Sequence, residues 1–479
     1  MPETKRLEED VVLKKIYDRE LLNRLFAFGK PYWYLILLAV ILIIFGMGLE
    51  LLGPYLTKVA IDRYILPGNL PGLYTIGFIY LGVLIGNFLF KYAQIILTQY
   101  LGQKVMLDLR QQLFTHLQSL HQQFFDKNPI GRLMTRVTSD VESLNEVFTQ
   151  GIVMIFGDIL LILGIVIMML SIHFQLAMWT LSVVPILVII SFVFRKKVRD
   201  SYSQIRFYLA KINAYMQEHI SGMNIVQLYN REKKNFDTFK SINWNHTSAY
   251  IKTIFYYAIF YPAVELIGAV ALAIIIYRGA FYIQGNLVTF GILVAFIQYA
   301  QMFFRPISDL SEKYNILQSA FAASERIFKL FDTSPVITTP QDGYHSDQIY
   351  GSIEFNNVSF AYDEDPVLHD INLSIPVGER YAFVGHTGAG KTSLTRLLGR
   401  FYDIRKGSIL INGVDIREWN LVSLRNQMAV VQQDVFLFSG NVLENIRLGN
   451  QAISEEKVKE AAEMVNAHRF IEKLHGGYD

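Results

Sequence analysis

Six long apolar stretches constrain this chain more than any other feature of its sequence. A helix needs about 20 apolar residues to cross the ~30 Å hydrocarbon layer of a bilayer. The stretches cover residues 34–56, 73–96, 152–172, 176–194, 254–277 and 288–304. Since 52% of all residues are apolar and 14% are aromatic, the composition also favours several domains, one of them in lipid. The sequence therefore predicts six membrane-spanning helices.

The connections between these stretches differ in length and charge. Stretches three and four meet at a turn near His173, and five and six at residues 284–286, whereas two connections run for about 50 residues. By the positive-inside rule, the N-terminus, both long loops and the C-terminal part are predicted to be cytoplasmic, in a multi-pass protein of the inner (plasma) membrane. The long connections carry most of the cations: Lys104, Arg110, Lys127, Arg132 and Arg136 in the first, and Arg195, Lys196, Lys197, Arg199, Lys233 and Lys234 in the second.

The first long connection has helical periodicity. Apolar residues recur at Leu109, Leu113, Leu117, Leu120 and Phe124, which is the spacing of one helix face. We expect the second span to continue as a helix far beyond the membrane and to break at residues 128–131, with its tip in contact with something in the cytoplasm. The alternative is an amphipathic hairpin that lies on the membrane surface.

A glycine-rich segment after the last apolar stretch fits the pattern G-x-x-x-x-G-K-[ST]. A short apolar run at 381–384 predicts a strand before it, and a helix is predicted from Ser393. Backbone N–H groups and the helix N-terminus surround phosphate oxygens in such a P-loop. We interpret the segment as an ATP site, although a glycine-rich turn without chemistry is the alternative. The candidate cofactor-binding residues are Gly385, His386, Thr387, Gly388, Ala389, Gly390, Lys391, Thr392 and Ser393.

Two residues of the P-loop have expected individual roles. The ammonium group of Lys391 reaches the β- and γ-phosphates, and the hydroxyl of Thr392 binds Mg²⁺.

Charge and cysteine content exclude other classes of function. A net charge of +2 with dispersed cations gives no reason to expect nucleic acid as a partner, and the absence of cysteine excludes disulfides and thiol catalysis. The charged first 24 residues do not have the pattern of a cleaved signal peptide.

Four ionisable residues lie inside the apolar stretches: Glu50, Lys91, Asp158 and Glu265. A charge in mid-bilayer costs about 2.5 to 3.5 kcal/mol, so each is expected to face protein or water. Counted from the ends of their stretches, Glu50 and Lys91 fall near opposite leaflets, so we expect no direct pair. Asp158 and Glu265 share a depth, and we expect them to line a substrate cavity that favours cationic amphiphiles; the alternative is a structural role in helix packing. The neighbouring aromatic residues are Tyr256, Tyr257, Phe260 and Tyr261.

Motifs in both long loops accompany the P-loop. Phe124-Phe125-Asp126 leads to Gly131-Arg132-Leu133 in the first loop, and Glu218-His219-Ile220-Ser221-Gly222 stands in the second. Together with the P-loop, they make the chain resemble the ATP-binding cassette (ABC) exporters of the half-transporter type, which include bacterial multidrug and lipid flippases. The resemblance implies a six-helix all-α transmembrane domain followed by an α/β P-loop nucleotide-binding domain. It also implies coupling helices at the loop tips and a second half-transporter as partner, in a homodimer or a heterodimer.

The resemblance assigns two further nucleotide-site residues. Tyr362 takes the place of the aromatic residue that stacks on adenine; alternatively, it merely ends an edge strand. Gln433 takes the place of the Q-loop glutamine, whose amide oxygen ligates Mg²⁺ or orients water while the γ-phosphate is present. The expected metal ligands are therefore Thr392 and Gln433. Ser454 is expected to cap a helix, because Glu455 and Glu456 follow it.

The resemblance also divides the chain into domains. We expect an N-terminal cytoplasmic segment at 1–30, a transmembrane domain at 31–335, a linker at 336–350 and a partial nucleotide-binding domain at 351–479. The family's signature motif, catalytic glutamate and switch histidine would lie beyond residue 479, so the catalytic residues are unknown. We therefore interpret the chain as C-terminally truncated within that domain, and expect it alone to bind nucleotide weakly without coupled hydrolysis.

The expected function is ATP-driven export of amphiphilic substrates, drugs or lipids, across the cytoplasmic membrane by a dimer. The sequence leaves two alternatives open. One is a peptide exporter with the same architecture. The other is a regulatory subunit that binds nucleotide without hydrolysing it and supports a catalytic partner.

Overall fold

The computed structural model describes residues 19–433 and 435–479, which form two compact units. The first unit comprises residues up to Leu120 together with Phe124–Pro335, and the second comprises His121–Gln123 with Val336–Asp479. Residues 1–18 of the predicted N-terminal segment lie outside the described residues. The predicted domain boundaries at 30, 335 and 350 stay predictions.

The first unit is built of helices, and a π-helical segment follows directly on three of them. The helices are α1 (Arg19–Gly29), α2 (Trp33–Ala60), α3 (Leu70–Ser119), α4 (Gln122–Lys127, which starts in the second unit), α5 (Ile130–Thr135), α6 (Val141–Glu146), α7 (Ile152–Ile172), α8 (Phe174–Leu181), α9 (Val184–Ser221), α10 (Met223–Leu228), α11 (Glu232–Gln284) and α12 (Phe290–Phe331). The π-helical segments are Ile61–Ile65, Arg136–Asp140 and Val147–Gly151.

The predicted spans correspond to these helices. Five helices of the described residues are long and apolar enough to cross a membrane, and a shorter apolar stretch, Phe290–Phe304, begins α12. The fourth predicted span is interrupted by a turn at residues 182–183, between α8 and α9. Proline explains the turn, because Pro185 in the first turn of α9 lacks an N–H and would clash with a preceding carbonyl of a continuous helix.

The first long loop begins as predicted and breaks earlier than predicted. Helix α3 continues the second span to Ser119, but it ends there and not at residues 128–131. Leu120 adopts an extended conformation (ψ 149°) and is only 7% exposed. Burial of its side chain against the core therefore replaces a further helical turn, and the short α4 follows.

The expectation that Glu50 and Lys91 do not pair is wrong. Lys91 Nζ lies 2.9 Å from Glu50 Oε2, and Asn87 Nδ2 donates to the Gly46 carbonyl at 2.9 Å between the same two helices. The helices extend to a hairpin at residues 66–69, well past the ends of the apolar stretches. Measured from this hairpin, the two residues differ by about six positions, or ~9 Å at 1.5 Å per residue, which their long side chains bridge.

Three hydrophobic clusters hold the first unit together. One joins the far half of α3 to α6 and the end of α12, with Leu109, Leu113 and Ile327 at its centre. Asp140 borders this cluster and accepts hydrogen bonds from Arg326 Nε at 2.9 Å and Nη2 at 2.5 Å. The other two clusters lie among α2, α7, α8, α11 and α12, and between α9 and α11.

The second unit contains a four-stranded antiparallel sheet in the order β2-β1-β3-β4. Its core gathers Phe355, Leu397, Ile409 and Trp419, all fully buried. Its strands are β1 (Ile353–Phe360), β2 (Leu368–Ile375), β3 (Lys406–Ile411) and β4 (Val414–Asp415), and its helices are α13 (Lys391–Leu398), α14 (Leu421–Asn426), α15 (Val442–Arg447), α16 (Glu455–Met464) and α17 (His468–Ile471). Ser454 caps α16 as predicted, since its side chain accepts from the Lys457 N–H.

Candidate functional site

Tyr362 lies two residues beyond the end of β1 and is held from three sides. Its ring meets Phe360 and Tyr402 edge-on, with centroid distances of 4.8 and 5.0 Å. Its hydroxyl lies 3.0 Å from Oγ of Ser393, a buried residue of α13. Its carbonyl accepts a 2.9 Å hydrogen bond from Gln123 Nε2. The strand thus fixes an aromatic ring beside the first turn of the helix that follows the glycine loop.

The glycine loop uses conformations that other residues avoid. Gly388 has φ of +89° and Gly390 has φ of +85°, in the left-handed region that glycine enters without steric cost. A Cβ at Gly390 would also lie 2.6 Å from the Leu368 side chain. The sequence pattern and the backbone agree here, because a side chain at position 390 would meet both an unfavourable φ angle and a steric clash.

The loop presents unpaired amide groups. The amide N–H groups of Gly388, Gly390, Lys391 and Thr392 have no backbone acceptor among the described residues. Those of Lys391 and Thr392 begin α13, where a helix leaves its first N–H groups without an intrahelical partner. These donors, together with the positive end of the helix dipole, fit an anion such as a phosphate group.

The Lys391 side chain folds back over this loop. Its Nζ donates to the carbonyl oxygens of Gly385 and His386, at 2.8 Å each. These acceptors are neutral, so neither of them compensates the positive charge of the ammonium beside the amide donors. Ser393 and Leu394, the next residues of the helix, are buried against the sheet, which fixes the helix that carries Lys391.

The expected strand at residues 381–384 is wrong for the described structure. These residues belong to none of the four strands, and Tyr381 and Val384 are 45% and 94% exposed. An apolar run becomes a strand only when a neighbour supplies hydrogen bonds, and no described strand pairs with it. The predicted helix is present and begins at Lys391, two residues before the predicted start.

The second predicted metal ligand is placed apart from regular structure. Gln433 is exposed, and no described hydrogen bond joins it to Thr392. No group of three or more His, Cys, Asp or Glu side chains among the described residues is arranged to hold a metal ion. The residues present therefore fit Mg²⁺ only as an ion bound together with a nucleotide. The phosphate oxygens would supply most of its ligands and the Thr392 hydroxyl would add one.

The two membrane carboxylates occupy different surroundings. Asp158 is half-buried in α7, whereas Glu265 is exposed on α11. No described hydrogen bond joins one to the other, so a shared cavity stays a prediction. Tyr257 and Phe260 both contact the Phe194 ring, with centroids at 5.1 and 3.8 Å, in the cluster between α9 and α11.

Sequence reasoning missed two arginines at the far end of α13. The Arg400 side chain donates to the Arg417 carbonyl, and the Arg425 side chain donates to the carbonyls of Gly399 and Arg400. No motif or periodicity marks such contacts.

Comparison with known proteins identifies the family. The transmembrane region of ABC transporters matches residues 36–307, and the ABC transporter ATP-binding region matches residues 368–477. An uncharacterised ABC transporter ATP-binding protein of Bacillus subtilis is 36% identical over 98% of this chain and 78% of its own length. An ATP-dependent lipid A-core flippase of Syntrophus aciditrophicus is 32% identical, over 96% and 76%. A putative multidrug export ATP-binding/permease protein of Staphylococcus aureus is 32% identical, over 96% and 81%.

These matches confirm the resemblance seen in the sequence. The chain belongs to the ATP-binding cassette transporters. It is a multi-pass membrane protein of the exporter half-transporter type, in which a helical membrane region and an ATP-binding region follow each other in one chain.

Proposed function

We propose that this half-transporter uses ATP to export amphiphilic molecules, drugs or lipids, across the cytoplasmic membrane. The observation that carries the proposal is the P-loop with Lys391 in the same chain as an export-type membrane region. Two of the similar proteins are named for lipid A-core flipping and multidrug export, which supports this range of substrates. On α11, Tyr261 is 55% exposed and provides a flat aromatic surface for such molecules.

The nucleotide is held by three groups of the second unit. The amides of Gly388, Gly390, Lys391 and Thr392 donate to the phosphates, and Lys391 exchanges its two carbonyl acceptors for phosphate oxygens. Tyr362 stacks on the adenine, supported by its position beside Ser393. Mg²⁺, when bound, neutralises phosphate charge; the Thr392 hydroxyl and the Gln433 amide oxygen serve as its protein ligands.

The working unit is a dimer, either of two copies or with a related half-transporter. Six spans per chain place the N-terminus, both long loops and the nucleotide unit in the cytoplasm, because the long loops carry more Lys and Arg residues than the short connections do. Asp158 and Glu265 favour cationic substrates in this proposal, and the membrane is the inner (plasma) membrane.

Inverted membrane vesicles from cells that express the full-length protein test this function. On addition of ATP, we expect the vesicles to accumulate an amphiphilic cationic dye, and vesicles carrying Lys391→Ala to accumulate none. The double change Asp158→Asn with Glu265→Gln should reduce dye uptake and leave nucleotide binding intact. Equal dye uptake with native protein and Lys391→Ala would refute ATP-driven export.

A further inference from the structure

Two arginine side chains lie at the C-terminal end of α13, the helix whose N-terminal end carries the P-loop amides. We call Arg400 and Arg425 the arginine cluster. Arg400 is only 7% exposed, and Arg425 belongs to α14. Helix α13 has eight residues, so the cluster acts about 12 Å from the glycine loop at 1.5 Å per residue.

The helix end itself is strained. The Phe401 N–H donates to the Arg396 carbonyl and the Arg400 N–H donates to the Leu397 carbonyl, which is the pairing of a Schellman motif. Glycine usually occupies the left-handed position of this motif, but here Arg400 does, with φ of +47°. Such a residue costs of order 1 to 3 kcal/mol and persists only where its surroundings hold it.

The surroundings hold Arg400 through three acceptors. Its Nε donates to Asp403 at 3.0 Å, and its Nη1 donates to the carbonyls of Arg417 at 3.1 Å and Thr338 at 3.4 Å. The side chain thus joins the end of α13 to residues far away in sequence. This network offsets the strain and makes the helix terminus a fixed point.

Arg425 closes the helix end from α14. Its Nε donates to the Gly399 carbonyl at 3.1 Å and its Nη2 to the Arg400 carbonyl at 3.0 Å. The guanidinium also lies 4.9 Å from the centre of the Phe401 ring. A cation at a helix C-terminus interacts favourably with the negative end of the dipole and satisfies carbonyls that lack intrahelical partners.

The position of Arg425 is electrostatically unfavourable. Partial burial and the nearby charge of Arg400 both lower the pKa of Arg425, because each disfavours a second cation there. A neutral side chain would avoid that repulsion. Arg425 donates to two adjacent carbonyls through two different nitrogens of one planar group, Nε and Nη2, a fixed geometry that a lysine ammonium does not reproduce.

We propose that Arg425 is a positioning residue for nucleotide binding, which holds the far end of α13 so that the P-loop amides and Lys391 meet the phosphates in fixed geometry. Helix α14 leads within a few residues to Gln433, so the same side chain ties the P-loop helix to the segment that precedes the Q-loop glutamine. The inference rests on the proposed nucleotide binding by the P-loop.

Competition by inorganic tripolyphosphate against a fluorescent ATP analogue tests the proposal, because tripolyphosphate reports the phosphate contacts alone. The 479-residue chain is purified in detergent as native protein, Arg425→Gln, Arg425→Lys and Arg417→Gln. Arg417 is the matched control, since its guanidinium binds Asp415 and the Gly407 carbonyl and makes no contact with α13. Thermal unfolding is measured for each variant.

We expect Arg425→Gln to raise the tripolyphosphate Kd about tenfold, equivalent to about 1.4 kcal/mol, Arg425→Lys to raise it less, and Arg417→Gln to leave it unchanged. A Kd for folded Arg425→Gln within twofold of native would overturn the proposal. If Arg425→Gln does not fold, Arg425→Lys decides: a rise of threefold or more supports the role and a rise under twofold contradicts it. Failure of the native chain to bind the analogue would instead contradict the proposed function.

Discussion

Three cations of the membrane unit and two cations of the nucleotide unit have different kinds of partner. In the membrane unit, Arg326 pairs with Asp140, Lys91 with Glu50, and Arg24 with Asp332. In the nucleotide unit, Arg400 and Arg417 also bind carboxylates, but Lys391 and Arg425 donate to backbone carbonyls. A carboxylate compensates the positive charge of its partner, whereas a neutral carbonyl does not. The difference teaches that pairing in the first unit serves stability, while Lys391 in the second stays available to an anionic ligand.

The strongest way to break this comparison is to remove the carbonyl-held cation at the P-loop. Lys391→Ala should weaken ATP binding by about 30-fold, or about 2 kcal/mol, the scale of a hydrogen bond to a charged group. The melting temperature should change little, because no described carboxylate depends on Lys391. Equilibrium titration with a fluorescent ATP analogue measures both forms.

The control for Lys391 is another lysine of the same unit. Lys406 is exposed at the start of β3, and Lys406→Ala should leave the ATP affinity unchanged. An equal loss in both variants would mean that Lys391 acts only through net charge.

Breaking a pair between a cation and a carboxylate should lower stability and leave ATP affinity unchanged. Asp140 is 9% exposed while the Arg326 side chain is 48% exposed. Asp140→Asn should therefore destabilise the protein by about 1 to 2 kcal/mol, less than the 3 to 5 kcal/mol for a fully buried pair, because water reaches Arg326. ATP affinity should stay native. Thermal unfolding in detergent measures the loss, with Glu142→Gln as control, since its pair with Arg110 is exposed on both sides and worth little.

The pair of Glu50 and Lys91 should have a smaller effect on stability, and the effects of the two residues should be coupled. Glu50→Gln and Lys91→Met should each lower stability, and the double variant should lose less than the two single losses added together. The expected coupling is about 1 kcal/mol, within the range for residues in contact. Unfolding in lipid nanodiscs measures all four proteins. Additive losses would mean that the 2.9 Å contact contributes nothing in lipid.

The smallest effect concerns the exposed pair of Arg24 and Asp332. Hydrogen bonds from Arg24 hold the pKa of Asp332 below its usual value. A lowered carboxyl pKa contributes stability that is present above about pH 4, the unfolded value, and is lost as the pH falls through the folded pKa. The melting difference between native protein and Arg24→Gln should therefore shrink between pH 5 and pH 3. A difference that stays constant over that range would refute the contribution of this pair.

Local patterns were read correctly where local forces decide the structure. The apolar stretches became helices because length and hydropathy suffice for that, and the P-loop glycines adopt the positive φ angles that their identity allows. The helix after them and the Ser454 cap also follow from short-range chemistry.

Non-local partners account for the errors. The run at 381–384 forms no strand because a strand needs a neighbour, which hydropathy does not reveal. The Glu50–Lys91 pair was missed because the hairpin tip, and not the end of the apolar stretch, sets the register of the two helices. The arginine cluster is recognisable only from carbonyls that the fold brings together.

The central claim is that the glycine loop of this chain binds nucleotide through its phosphates. Parallel titrations of the purified chain with ATP and with adenosine test it directly, since both carry the base but only one carries phosphate. The charge-assisted contacts of Lys391 and the loop amides predict that ATP binds at least about 100-fold more tightly, a difference of about 2.7 kcal/mol. Equal affinities for ATP and adenosine would contradict the claim.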